Sequence, residues 1–333
     1  MHIPENYLSP STCAIMGAVM VPVWALALRK VRQTVPKEKL PLLGIGAAFA
    51  FLSMMFNIPL PGGTTGHAVG GTLIAVLFGP YAACLSVTIA LFIQALFFGD
   101  GGLLAFGANA FNMAFVLPFT GYFIYCQLKD RVGANLAAGI GAYIGINAAA
   151  FCAAVEFGIQ PLFFVDAAGQ PLYCPYPLAV SLPAMMIGHL TLFGLAEFIF
   201  TAAVAAYLKK TSPDIFVAAS SRAGKPVYGL LLAMVILSPI GLLAEGTAWG
   251  EWAPEEIAEV IENGHALGYT PAGLSDGFSF AALFPDYTVG ALPDVFGYIL
   301  SAVIGTALSI IVFKLAASLM KDKVEFTKAT RGV

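Results

Sequence analysis

Residues 40–56 read LPLLGIGAAFAFLSMMF, from Leu40 to Phe56, without one charged side chain. At 1.5 Å of rise per residue, a helix of this length reaches most of the way across a hydrocarbon core of about 30 Å. Outward from it, similar runs bounded by charge, Pro or Gly lie at Cys13 to Leu28, Ala68 to Phe78, Ala82 to Phe98, Ala110 to Gln127, Ala134 to Phe157, Leu182 to Leu208, Tyr228 to Ala244 and Phe296 to Leu319. The 333 residues are 59% hydrophobic and 11% charged, against roughly 25% charged in an average soluble domain. A soluble fold could not hide that much apolar surface. The sequence predicts an all-α, polytopic transmembrane bundle of about nine spans. The third run is too short to cross alone, so it extends back through His67 toward Thr64 or is partly re-entrant.

Cytoplasmic loops collect Lys and Arg, which assigns the sides. The 16 positive side chains form four groups: Arg29, Lys30, Arg32, Lys37 and Lys39; Lys129 and Arg131; Lys209, Lys210, Arg222 and Lys225; Lys314, Lys321, Lys323, Lys328 and Arg331. With nine spans and the N-terminus outside, all four fall on or beside one face, and the C-terminus is inside. The opposite face receives Glu5, Asp100, Asp166 and a loop at residues 245–294 with nine acids and no Lys or Arg. A polar basic stretch at residues 211–225 reads as a cytoplasmic linker. It separates a membrane domain of about seven spans, residues 1–210, from a two-span module, residues 226–333, that carries the acidic loop. No inverted repeat of the kind that marks secondary transporters is apparent. The five cysteines are scattered without a CxxC pair and read as small buried residues. The first residues lack the basic start of a cleavable signal, so the N-terminus is expected to be mature as written.

His2 is the most informative residue. A histidine second from a free N-terminus presents the terminal amine, its own amide nitrogen and its imidazole as one chelate with fused five- and six-membered rings. A metal able to displace the amide proton is then held in a plane with a fourth corner open. Planar nitrogen sites suit Ni(II) and Cu(II), with Co(II) possible, and suit Zn, Mg or Ca poorly. A His at position 2 is also a common accident of sequence. A fourth ligand is suggested by residues 57–71, NIPLPGGTTGHAVGG, whose Gly and Pro break helix on the face that holds the N-terminus. The plain alternative is a tight turn with His67 as a helix cap. Asp100, in a Gly-Asp-Gly-Gly loop, and Asn109 and Asn112 just beyond read either as outer partners that orient His67 or the N-terminal loop, or as a glycine turn and cap. His189 and Glu197 share a face of the seventh span, where ionisable groups are costly; interhelical hydrogen bonding and passing motion to a partner are both open. His265 in the acidic loop is either solvated or a residue that hands metal inward.

Met1-His2-Ile3, the stretch Phe56 to Gly71 with Pro80 after it, and Phe98-Gly99-Asp100-Gly101-Gly102-Leu103-Leu104-Ala105-Phe106-Gly107-Ala108-Asn109-Ala110-Phe111-Asn112-Met113 together resemble the CbiM/NikM family. These are the substrate-binding S components of energy-coupling-factor (ECF) transporters for cobalt and nickel. The resemblance covers roughly residues 1–210. It implies a planar four-nitrogen site made by the Met1 amine, the amide and ring of His2, and His67. Residues from about Pro226 onward resemble, more loosely, the two-span N component of the same systems, here fused. The family also implies partners: a transmembrane coupling subunit of the T/Q type and cytoplasmic ATPases, in the cell (inner) membrane, with a link to nickel enzymes or cobalamin biosynthesis.

An importer needs energy, yet no GxxxxGK[ST] phosphate loop occurs, so no ATP site is expected in this chain. No enzyme is expected either, since a metal-dependent membrane protease would need HExxH or a comparable base beside its metal, and none is present. A stand-alone secondary metal transporter would carry several intramembrane charges along a path, where only Glu156 and Glu197 qualify. Lipid surrounds the chain and no nucleic acid partner is expected. Co2+ and Ni2+ both fit four nitrogens, so the residues do not separate them.

Overall fold

The computed structural model describes residues 1–60, 63–215, 224–244, 246–262 and 265–319. Pro61, Gly62, Arg222, Glu245, Lys321, Lys323, Lys328 and Arg331 lie outside that range, as do the side chains of Glu262 and His265. The chain is mostly helical. Its principal helices are α1 (Pro10–Thr34), α2 (Leu40–Met54), α3 (Gly71–Phe78) and α4 (Pro80–Phe98). Next comes α5, which runs from Phe106–Asn109 through a wide π turn at Ala110–Val116 into Leu117–Val132. It is followed by α6 (Ala134–Phe163), α7 (Leu178–Thr211), α8 (Lys225–Leu243) and α9 (Asp294–Leu319). Among the described residues six of these, α1, α4, α6, α7, α8 and α9, are long and apolar enough to cross a membrane. The protein is a multi-pass membrane protein.

Local chemistry sets the boundaries. Ser9 caps α1, its hydroxyl accepting from the Thr12 N–H at 3.1 Å, and Pro10 supplies the fixed φ of a first turn. Gly79, at φ +87°, ends α3, and Pro80 starts α4 directly after it, so one residue divides an unbroken apolar stretch into two helices. The third run does not continue back through His67 as helix. Strands β1 (Ile58–Leu60) and β2 (Thr64–Gly66) pair antiparallel with Pro59 opposite Thr65, residues 67–70 are irregular, and Gly70 at φ +74° precedes the helix.

The core is built on close backbone contact. A Cβ added at Gly141 or Gly145 of α6 would stand 2.4 Å from the Gly121 carbonyl oxygen or 2.5 Å from that of Leu117 on α5. Small residues allow that approach where apolar burial between helices offers little in lipid. The α4 and α6 helices lie inside, 67% and 61% buried over their most apolar stretches, whereas α1 is 17% buried and shows Ile15, Val19 and Val21 outward. The last helix, α9, packs along α2, where Gly44 would put a Cβ 3.0 Å from the Ile310 Cα. The acidic loop between α8 and α9 folds back over the first residues: Tyr7 donates to the Trp252 carbonyl at 2.7 Å, and the Trp249 N–H donates to Thr64 Oγ1 at 2.8 Å.

Candidate metal centre

The first five residues are held at the backbone of Ile3 and the side chain of Glu5. The Ile3 N–H donates to Asn109 Oδ1 at 2.8 Å, Asn109 Nδ2 donates to the Ile3 carbonyl at 3.0 Å, and the Gly102 N–H reaches the same carbonyl at 2.8 Å. Glu5 accepts from the amides of Leu103 and Leu104. Burial pushes its carboxyl above the usual range, while those two amides pull the other way. The loop around Asp100 thus serves as a template for the N-terminal segment.

This anchoring buries Met1 and His2 and points them at His67. His2 Nδ1 lies 3.2 Å from His67 Nε2, with ring centroids 5.0 Å apart. His67 Nδ1 sits 3.2 Å from the Ala68 carbonyl oxygen, which fixes its hydrogen on Nδ1 and leaves the Nε2 lone pair facing His2. Burial first, then the His2 ring and the terminal amine, hold the His67 imidazole well below the usual histidine range. It is neutral at neutral pH, as a metal ligand must be.

Two carboxylates complete the surroundings. The Met1 amine pairs with Glu251 Oε1 at 3.0 Å, and His2 Nδ1 lies 3.2 Å from Asp100 Oδ1. The other oxygen of Asp100 accepts from Tyr287 at 2.5 Å and from Gln94 Nε2 at 3.1 Å. Burial, then the Asp100 charge, keep the Tyr287 phenol protonated well above its usual range, so it is a donor. Tyr287 and its neighbour Asp286 both adopt left-handed backbone, at φ 60° and 51°. That conformation costs non-glycine residues of order 1–3 kcal/mol, and here it aims the phenol at Asp100. A polar cavity of about 340 Å³, lined by His2, His67, Asp100, Glu251 and Asp286 among others, opens beside the two rings.

Of the residues singled out in the sequence, Met1, His2, His67 and Asp100 are brought together, with Asn109 one hydrogen bond behind them. Asp100 reaches His2 and not His67. Asn112 stands apart, donating to Glu156 at 2.8 Å. His189 is buried with Nδ1 on the Met185 carbonyl at 2.8 Å, and Glu197 accepts from the amides of Val69 and Gly70. Sequence reasoning missed Glu251, Tyr287 and Gln94. Glu251 lies 250 residues from the amine it pairs with, and no local pattern distinguishes it from the other acids of its loop. Among the described residues no group of three or more His, Cys, Asp or Glu side chains is placed to hold a metal ion. The five cysteines are free.

Comparison with known proteins bears on what such a site serves. Residues 2–215 match the CbiM family, described as the cobalt uptake substrate-specific transmembrane region. The chain belongs to the CbiM family. Residues 224–322 match the PDGLE domain. The probable fused nickel transport protein LarMN of Lactiplantibacillus plantarum is 51% identical, over 91% of this chain and 93% of its own. The fused nickel transport protein NikMN of Rhodobacter capsulatus is 45% identical, over 96% and 98%. A crystal structure of a truncated transition metal transporter superposes with a TM-score of 0.61 at 57% identity, covering 63% of this chain and 99% of that one. These CbiM-family relatives are metal transport proteins, not enzymes.

Proposed function

We propose that this chain is the substrate-binding subunit of an ECF-type importer for Ni2+ or Co2+, capturing the ion in a planar four-nitrogen site on the extracytoplasmic side. The ligands are the Met1 amine, the amide nitrogen and Nδ1 of His2, and Nε2 of His67. The observation that carries this reading is the 3.2 Å between His2 Nδ1 and His67 Nε2. Metal–nitrogen bonds of about 2.0–2.1 Å set adjacent corners of a square about 2.9 Å apart, so the two rings stand within a few tenths of an ångström of that spacing. Glu251 supports the amine corner, since a coordinated amine keeps two hydrogens and still donates to a carboxylate. Asp100 accepts from His2 Nδ1 while that nitrogen is protonated, and faces the metal with negative charge once it is not.

In this reading residues 1–210 form the metal-binding domain and residues 226–333 an N-component-like module whose loop supplies Glu251 and Tyr287. The chain crosses about nine times with the N-terminus outside and the basic groups inside, in keeping with the preference of Lys and Arg for cytoplasmic loops. The T/Q-type coupling subunit and the ATPases contact the chain from the membrane and the cytoplasm. The test is the metal content of purified full-length protein after exposure to an equimolar mixture of Ni2+, Co2+ and Zn2+. One Ni2+ or Co2+ per chain with Zn2+ excluded is expected; preferential retention of Zn2+ would contradict a planar nitrogen set.

A further inference from the structure

Helix α7 grips the chain on both sides of His67. On one side Glu197, fully buried, accepts through Oε2 from the Val69 N–H at 2.7 Å and the Gly70 N–H at 3.1 Å, and through Oε1 from Gly70 at 3.0 Å. On the other side the Phe193 ring lies against Gly66, where an added Cβ would stand 2.7 Å from two ring carbons. Residues 193 and 197 are one turn apart and so lie on one face of the helix. Directly before that face α7 widens into a π turn, His189–Phe193, a feature frequent at functional sites. The His189 ring meets Phe193 edge-on at 5.3 Å, bracing the aromatic jaw.

The hydrogen bonds also form a chain. The Ala68 carbonyl that holds His67 Nδ1 and the Val69 N–H that reaches Glu197 are the two ends of a single peptide group. A carboxylate on the N–H end polarises that peptide and strengthens its oxygen as an acceptor. This is a carboxylate–histidine arrangement with one peptide unit interposed. It fixes the hydrogen on Nδ1 and keeps the Nε2 lone pair free, the service that outer partners perform for metal-bound histidines. We infer that Glu197 and Phe193 form a clasp that sets the position and tautomer of His67, which makes Glu197 a positioning residue for metal capture. The inference rests on the reading that His67 is the fourth ligand.

The test uses the full-length chain with its native N-terminus and Ni2+ alone as probe. It reads dissociation constant, the visible absorption band of the planar complex and the ¹⁵N shifts of the His67 ring. Glu197→Gln can keep one carbonyl oxygen on both amides but turns its own NH2 toward the Gly70 N–H where Oε1 now accepts, so affinity falls by less than in the leucine variant. Glu197→Leu loses about 10–100-fold, moves the band as His67→Ala does, and mixes the His67 tautomers. In a His67→Ala background Glu197→Leu adds nothing, since paired removal of coupled groups is not additive. Phe193→Leu, which removes no hydrogen bond, shows the same dependence on His67 and decides the matter should Glu197→Leu fail to fold. Native affinity in both Glu197→Leu and Phe193→Leu, or losses that multiply with that of His67→Ala, would overturn the clasp alone. Native affinity in His67→Ala would overturn the fourth-ligand reading and the clasp with it.

Discussion

Three of the four proposed ligand atoms belong to Met1 and His2, and two of those three are backbone nitrogens, so the chemistry depends on where the chain starts. An extension before Met1 turns the amine into an amide, removes its ion pair with Glu251 and brings new chain to the buried place of Met1. Ni2+ binding through His67 is expected to vanish with four added residues, whereas one alone would place His2 third and leave it a planar chelate of its own; an equal C-terminal extension is harmless, measured by titration of folded, membrane-inserted protein, and native affinity in the four-residue extension would rule out the site. His67→Ala removes one corner and leaves the tridentate chelate, so weak binding survives, whereas His2→Ala abolishes it. The pH response has two separable parts. Binding weakens as pH falls from about 8 to 5.5, because an amine, an amide and an imidazole must be without protons to coordinate, and a flat profile would exclude this ligand set. His67 adds a stability effect of known sign. Its folded-state value is held well below normal, by burial first, whereas the unfolded chain takes up its proton below about pH 6.5. The unfolded state then binds more protons, so stability falls with pH below that point, and His67→Ala should flatten this part of a melting-temperature profile. His2, His67 and Asp100 were legible in the sequence because their residue types and glycine-rich settings carry chemical meaning. Glu251 and Tyr287 were not, since their importance arises only when chain segments 250 and 187 residues apart meet.

At the level of elements, the acids of the loop between α8 and α9 stand in two different settings. Glu251 is half-buried and pairs with the amine, whereas Glu255, Glu256 and Glu259 are exposed. Glu251→Gln is therefore expected to weaken Ni2+ binding roughly 10-fold, as loss of an outer partner does, with little dependence on salt. Neutralising Glu255, Glu256 and Glu259 together should lower only the capture rate, and only at low ionic strength, because charges beyond about 10 Å are screened at physiological salt. Stopped-flow binding at two salt concentrations separates the two, and a rate unchanged at low salt in the triple variant would end the cation-concentrating role. The long helices α1, α7 and α9 were readable from hydropathy alone. The hairpin β1–β2 and the π turns in α5 and α7 were not, because they follow from close packing and from amides seeking partners, not from the period of apolar residues. The expected helical extension through His67 failed for that reason: the strand pairing and Glu197 satisfy the amides that a helix would otherwise have used.

For the whole molecule, the decisive relation is between the two matched regions. The PDGLE region contributes no proposed ligand, yet it supplies Glu251 to the amine and Tyr287 to the carboxylate behind His2, and Tyr298 donates to the Met55 carbonyl at 2.8 Å near the end of α2. Helix α9 also fits a groove of α2, where the Phe51 ring leaves no room for a Cβ at Gly305. Such an interface is assembled from complementary shape and buried hydrogen bonds, and neither needs a covalent linker. Residues 1–210 expressed alone should still fold and keep the amine, amide and imidazole chelate. They should bind Ni2+ at least 10-fold more weakly, because two supporting partners are gone. Residues 226–333 supplied as a separate chain should restore affinity, and carrying Glu251→Gln on that second chain should cut the rescue while leaving complex formation intact by co-purification. Full affinity in residues 1–210 alone would show that the loop stands beside the site without supporting it, and rescue undiminished by Glu251→Gln would show that the pairing with the amine is incidental.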